Sequence, residues 1–176
     1  MANPISLLLL TLALTASGPA GKPAGFDGIA CGSDIAAELL GRTMPNERVA
    51  ALEAKYQAIG LKDLGASEIS DNLNLISWQI CGSEYMLIED GKDRVRDVLK
   101  APPHSKAAPL FIGAARVGGK ELPATVVAVL KPEDGAKLLS AACAWKIDER
   151  QARFVPLPTA GLQCPRDGII TSDGGL

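Results

Sequence analysis

Residues Leu73–Asp90 read LNLISWQICGSEYMLIED. Two runs of alternating apolar and polar residues flank Gly82-Ser83, and this pattern predicts a β-hairpin, with Gly82 supplying the positive φ of a type II′ turn. A two-residue loop fixes the register. It sets Cys81 opposite Glu84, Ile80 opposite Tyr85, Trp78 opposite Leu87 and Ile76 opposite Glu89. Side chains alternate along a strand, so Ile76, Trp78, Ile80, Tyr85 and Leu87 share one face. Ser77, Gln79 and Cys81 share the other with Glu84, Met86 and Ile88. The first face is the expected core side. Trp78 and Tyr85 are read there as a packed aromatic pair rather than as a ligand platform, because aromatic side chains dominate core burial.

Upstream, two helices are expected. Ser33 can cap a short one over Asp34–Leu40, ended by Gly41. A second runs from Pro45 to Ile59, with Val49, Leu52, Tyr56 and Ile59 on one stripe and Gly60 as the stop. Leu61 and Leu64 lie in a short connection to the hairpin. Downstream, Asp90-Gly91-Lys92 is a turn. Asp93–Lys100 carries Val95, Val98 and Leu99 at helical spacing and is expected as a third helix, stopped by Pro102-Pro103.

The period then changes to two. Leu110–Val117 and Glu121–Leu130 flank Gly118-Gly119, a second hairpin signal. Leu139, Ala141, Cys143, Trp145 and Ile147 alternate with more polar neighbours, which predicts a strand with one inner face. A helix beginning at Pro132 is the competing reading of 133–144. With Ala152–Leu157, these segments make a four-stranded antiparallel meander. The expected fold is therefore α+β: an N-terminal helical hairpin packed on an antiparallel sheet, held by two disulfides.

Residues 1–20 have the shape of a secretory signal peptide. Ile5–Ala16 (ISLLLLTLALTA) is an apolar run followed by SGPAG, too short to span a bilayer, which needs about 20 residues. The expected organisation is a signal peptide over 1–20, a flexible Gly/Pro/Ala-rich lead-in over 21–32, a single domain over 33–166 and a loose tail over 167–176. A periplasmic or secreted location follows, with no stable membrane anchor once the leader is removed. Four cysteines, Cys31, Cys81, Cys143 and Cys164, lie beyond the leader. An even count in an exported chain reads as two disulfides. Three pairings are open, and joining each cysteine to the next gives Cys31–Cys81 and Cys143–Cys164. A zinc site is disfavoured because no CxxC pair is present.

The 176-residue chain has a net charge of −2 with both signs interspersed. No basic stripe exists, and aromatic residues are only 4%, so nucleic acid is not an expected partner. Nor is a catalytic constellation evident. There is no Gly-x-Ser-x-Gly elbow. The sole histidine, His104, lies in the proline-flanked loop APPHSKAAP and is read as a surface residue. Gly113–Lys120 (GAARVGGK) fails the spacing of a phosphate loop. Glu84, Glu89, Asp90, Asp93, Asp148 and Glu149 are the carboxyls available for paired acid–base chemistry. Each falls at a turn or on a polar face and is read as solvated. Asp167 and Asp173 lack the run of acidic residues that a calcium loop requires. No catalytic, metal or cofactor site is predicted. The expected function is an exported, non-catalytic binding or inhibitor-like module for a protein or envelope component. The alternative is an exported hydrolase using paired carboxylates.

Overall fold

The computed structural model describes residues 22–133 and 135–170. The proposed leader and the end of the tail lie outside them. Among the described residues, no helix is long and apolar enough to cross a membrane.

The fold is mostly β, not α+β with an N-terminal helical hairpin. Sheet 1 comprises β1 (Lys62–Ser70), β2 (Leu73–Ile80), β3 (Ser83–Asp90) and β4 (Val95–Lys100), antiparallel and in chain order. Sheet 2 comprises β5 (Leu110–Val117), β6 (Lys120–Leu130), β7 (Leu138–Asp148) and β8 (Arg153–Pro156), which form the expected meander. It is extended by β9 (Leu162–Pro165) and β10 (Ile169–Ile170). Strand β9 pairs with β5 on one side and β7 on the other, so β5, β6, β7 and β9 close into a ring.

The central hairpin turns one residue earlier than expected. Cys81 (φ 51°) and Gly82 (φ 74°) occupy the two loop positions, both with the positive φ that a type I′ turn needs. Cys81 tolerates this conformation under two restraints. Its N–H donates to Ile59 O at 2.7 Å, and its sulfur is bonded to Cys31. Trp78 therefore lies opposite Tyr85, and Ile76 opposite Leu87. The pairing moves by two positions, an even shift, so the expected faces survive. Trp78, Ile80, Tyr85 and Leu87 are buried together, with Ile76 packed against them.

The opposite face is not solvated. Leu73, Leu75, Met86 and Ile88 pack against Leu110, Val127, Val129 and Ile147, so the two sheets share a core. Inside the ring, Phe111, Ala115, Val126, Ala128, Leu130, Leu139, Ala141, Leu162 and Cys164 form a separate core. The run Val126–Leu130 is consequently buried on both faces.

Two β-bulges explain the main errors of the sequence reading. In β4 the register slips between Ile88↔Asp97 and Glu89↔Val95. A bulge adds one residue to one strand and resets its alternation. Val95 and Val98 thus meet the same core despite a spacing of three, which in sequence imitates a helix. In β7 the slip falls between Val129↔Cys143 and Leu130↔Ala141, leaving Ala142 exposed. Leu139 and Ala141 point into the ring, whereas Cys143 and Ile147 point to the inter-sheet core. The single inner face expected over 139–147 is therefore split between two cores.

The same bulge separates the second expected cysteine pair. Cys143 lies opposite Val129 and faces the other sheet, while Cys164 lies opposite Leu139 and faces into the ring. Both are free thiols, and the one disulfide is Cys31–Cys81, with Cα atoms 5.5 Å apart.

The N-terminal helices are shorter than expected. Helix α1 is Ile35–Leu39, capped by Asp34 rather than Ser33: Ala37 N–H donates to the Asp34 carboxylate at 3.1 Å. Helix α2 is Val49–Lys55, followed by a single 3-10 turn over Gln57–Ile59. They do not form a hairpin: α1 rests on β4 and α2 on β1, the two edges of sheet 1. The 22–32 segment is not a flexible lead-in, because Phe26 and Ile29 are buried in the sheet 1 core. The Phe26 ring stands edge-on to Tyr56 and Trp78 at 5.4 and 5.3 Å. Arg42, itself buried, donates to the carbonyls of Gly25, Asp27 and Glu38 and ties this segment to the end of α1.

Candidate functional site

Between its two helices the chain crosses the outer face of sheet 1. Thr43 bridges to Arg94 beside β4, Met44 N–H donates to Asp93 O at 2.7 Å, and the backbone then runs toward α2 above β1. Residues 44–48 thus form a strap where the sequence predicted the first turn of a helix. Gly25 holds the strap from behind. Its N–H donates to Thr43 O, and a Cβ at this position would lie 3.0 Å from Pro45 Cδ.

A cleft of about 250 Å³ remains beneath the strap. Met44, Pro45, Asn46 and Glu47 line it above, with Val49 and Leu52 from α2. Asp63 and Ala66 of β1, Ile76 and Trp78 of β2, Glu89 of β3 and Asp93 of the following turn complete it. The size lies near the lower end of small-molecule sites, about 300–1,000 Å³. Four carboxyl residues and no basic residue line the cleft.

Two side chains in this cleft break the rule that buried polar groups are paired. Trp78 is 5% exposed and Glu89 is 4% exposed. Trp78 Nε1 and Glu89 Oε1 are the buried side-chain atoms without a hydrogen-bond partner among the described residues. Orphaned groups of this kind cost about 1–3 kcal/mol each, and native structures contain few of them. Burial pushes the Glu89 carboxyl up to about 7, and the nearby charges of Asp93 and Asp90 reinforce the rise. Asp90 itself moves the other way. Burial opposes its charge, but hydrogen bonds from Lys92 N–H, the Arg96 guanidinium and Arg94 N–H outweigh that and hold the carboxyl below its usual range. At neutral pH the cleft therefore holds an unpartnered indole donor and a carboxyl poised between acid and carboxylate.

Glu89 corrects the reading of the hairpin acids as solvated surface. It shares parity with Tyr85 and Leu87, so the apolar face of β3 ends in a carboxyl. That parity is the signal in the sequence that singles it out. Asp93 is exposed at the cleft mouth, and Asp148 caps its own turn by accepting from Gln151 N–H.

His104 is also not the surface residue expected. Its side chain is 18% exposed, with Nε2 at 3.4 Å from Glu84 Oε2, itself on a side chain 14% exposed. Nδ1 lies 3.0 Å from Pro102 O. A carbonyl can only accept, so Nδ1 carries the hydrogen. The Glu84–Nε2 contact is then favourable only with one proton shared between them. Burial raises the Glu84 carboxyl and the His104 charge opposes that rise. The pair lines a hollow of about 520 Å³ with Lys62, Gln79, Ser83 and Lys100. Every buried polar side-chain atom described there has a partner. The same holds for the larger open hollow of about 960 Å³ beside Phe111, Lys137 and Arg166. The guanidinium of Arg166 is engaged by the carbonyls of Ala136 and Glu133.

Among the described residues, no group of three or more His, Cys, Asp or Glu converges as metal ligands would. Burial pushes the Cys164 thiol up to about 11 and Cys31 and Cys81 are bonded to each other, while Cys143 is a half-buried free thiol against the core between the sheets. No family model matches the chain, and neither a curated protein nor a solved structure matches it.

Proposed function

We propose that this protein is an exported, non-catalytic binding module whose recognition site is the cleft under the 44–48 strap. One observation carries this reading: Trp78 and Glu89, whose Nε1 and Oε1 are buried without a partner, both line the same hollow. Leaving both unpaired opposes folding, and an occupant that supplied partners would offset that cost. Export is supported by the Cys31–Cys81 bond, a feature of oxidising compartments, and by the apolar Ile5–Ala16 run. The occupant is then a small group presented by a protein or envelope component outside the cytoplasm.

The test is a fragment screen by NMR with cationic, neutral and anionic compounds in equal number. Hits are expected to perturb Trp78 and its neighbours, and to disappear in Ala66→Trp, which fills the cleft floor. Hits confined to the hollows beside His104 or Arg166, and unchanged by Ala66→Trp, would overturn the assignment.

A hydrolase using paired carboxylates draws on the same cleft, with Glu89 as acid and Asp93 as its partner. The raised Glu89 carboxyl favours it. The size of the cleft does not, since about 250 Å³ beneath a strap suits a side-chain-sized group better than a pair of sugar rings. The two readings separate on aryl glycosides: the hydrolase reading requires turnover that Glu89→Gln abolishes, and the binding module shows none.

A further inference from the structure

We propose that the cleft takes a primary ammonium of the lysine type, displayed by a partner with its backbone carbonyl close enough to accept from Trp78. This rests on the cleft being the recognition site, and adds the chemistry of its occupant.

Charge gives the first argument. Glu47 from the strap, Asp63 from β1, Glu89 from β3 and Asp93 from the turn all line the cleft, and no lining residue is basic. An anion entering this space meets only like charge. Arg48 of the strap and Lys62 of β1 do not line the cleft, and three further cations around it are engaged elsewhere. Arg42 is held by three carbonyls, Lys55 lies 3.8 Å from Asp27 and over the Tyr56 ring, and Arg96 is 3.1 Å from Asp90.

Shape and polarity narrow the class. The floor is apolar, formed by Ala66, Ile76 and Trp78, and suits a methylene stem, while the carboxyls suit its charged end. The acids do not converge as metal ligands do, so an organic cation fits better than a bare metal ion. A cation alone leaves the Trp78 N–H unsatisfied, because an indole nitrogen only donates. The occupant therefore needs an acceptor a few bonds from the charge, and a lysine residue within a peptide has one in its own carbonyl.

Proton exchange follows from the same geometry. The titratable residues that line the cleft around Glu89 or act on its carboxyl are all acids: Glu47, Asp63, Asp90 and Asp93. Its cross-strand neighbours, Asn74 and Val95, do not titrate. No residue that lines the cleft or acts on the Glu89 carboxyl favours its charged form. An entering ammonium does, and the carboxyl releases its proton to solvent as the ion pair forms.

The experiment titrates Nα-acetyl-lysine methylamide while following the Trp78 indole N–H resonance, assigned by its loss in Trp78→Phe. Trp145 serves as the internal control. Saturable shifts of Trp78 alone are expected. With a group titrating near 7, affinity should fall about tenfold between pH 8 and pH 6. Glu89→Gln should abolish both the binding and its pH dependence. Glu47→Lys, a change at an exposed position that does not endanger folding, should weaken binding by placing a competing ammonium at the entrance. Equal binding of the Nζ-acetylated probe or of Nα-acetyl-glutamate methylamide would overturn the proposal, as would unchanged binding by Glu89→Gln. If neutral or anionic fragments fill the cleft and the lysine probe does not, the recognition site stands and the ammonium assignment falls. If no compound of any class enters, both fall.

Discussion

Sheet 1 and the β5–β6–β7–β9 ring each carry apolar side chains on two faces, and they share one of those faces across the Leu75–Ile88–Val127–Ile147 core. They differ in what covers the other. The ring covers itself: β9 closes it, and the interior is entirely apolar, with alanines at Ala115, Ala128, Ala141 and Ala144 fitting the narrow space. Sheet 1 borrows its cover from the N-terminal segment, two short helices and a strap. Borrowed cover fits less closely, and the gap it leaves contains the orphaned indole and carboxyl. Self-closure packs the interior of the ring and leaves the hollow beside Phe111 and Arg166 with every buried polar side-chain atom described there paired, whereas a cover brought from elsewhere in the chain leaves unpaired ones.

That contrast can be broken, most forcibly at Phe26. Phe26→Ala removes the ring that stands against both Tyr56 and Trp78, and should destabilise the protein by about 3–5 kcal/mol in urea denaturation. Amide exchange should rise throughout sheet 1 before it rises in the ring. Equal loss of protection in both would show that the cover is not a separate stabilising layer.

Replacing Cys31 and Cys81 together with serine opens a link across a sequence separation of 50. A loss of about 2–4 kcal/mol is expected by calorimetry. The unreduced wild-type protein, once denatured, should show two titratable thiols, Cys143 and Cys164. None at all would restore the second crosslink.

Acidity sharpens the comparison further. Glu89 titrates at about 7 when folded, against 4.5 for an ordinary solvated glutamate. Between those values the folded chain binds more protons than the unfolded chain, so stability falls as pH rises. The penalty is absent below 4.5 and complete above 7. It amounts to about 3 kcal/mol, because each tenfold change in proton affinity is worth about 1.4 kcal/mol. Glu89→Gln should flatten this part of the profile and raise stability at pH 8, as read from urea midpoints across pH. A wild-type profile that rises between pH 5 and 7 would contradict the burial of this carboxyl.

The smallest effect is expected at Gly25. Its φ of 54° is left-handed, and an added methyl group would press on Pro45. Gly25→Ala should cost about 1–2 kcal/mol, and should shift the resonances of 44–48 while leaving those of β9 in place.

Where strands keep strict alternation and turns carry glycine, the sequence is readable. The β2–β3 faces, the β5–β8 meander and the Cys31–Cys81 bond follow from it. Where one extra residue resets the alternation, periodicity misleads. The slip in β4 makes Val95 and Val98 look helical, and the exposed Ala142 in β7 makes two half-faces look like one. Strand β1 (KDLGASEIS) is a polar edge with two register shifts of its own, and offers little period-two pattern to find. The cleft is the least legible part. Its strap is an absence of helix at Pro45–Arg48, and the role of Glu89 depends on burial by segments about forty residues earlier in the chain.

Strand β9 carries one last consequence, for biosynthesis. It follows in sequence both strands that it joins, so a nascent chain stopped short of Leu162 presents the flanks of β5 and β7 with unpaired amides and carbonyls. Bare flanks of this kind are templates for joining to other chains. Four residues, Leu162–Pro165, thus decide whether the C-terminal half emerges as a sealed unit or as a sheet inviting self-association.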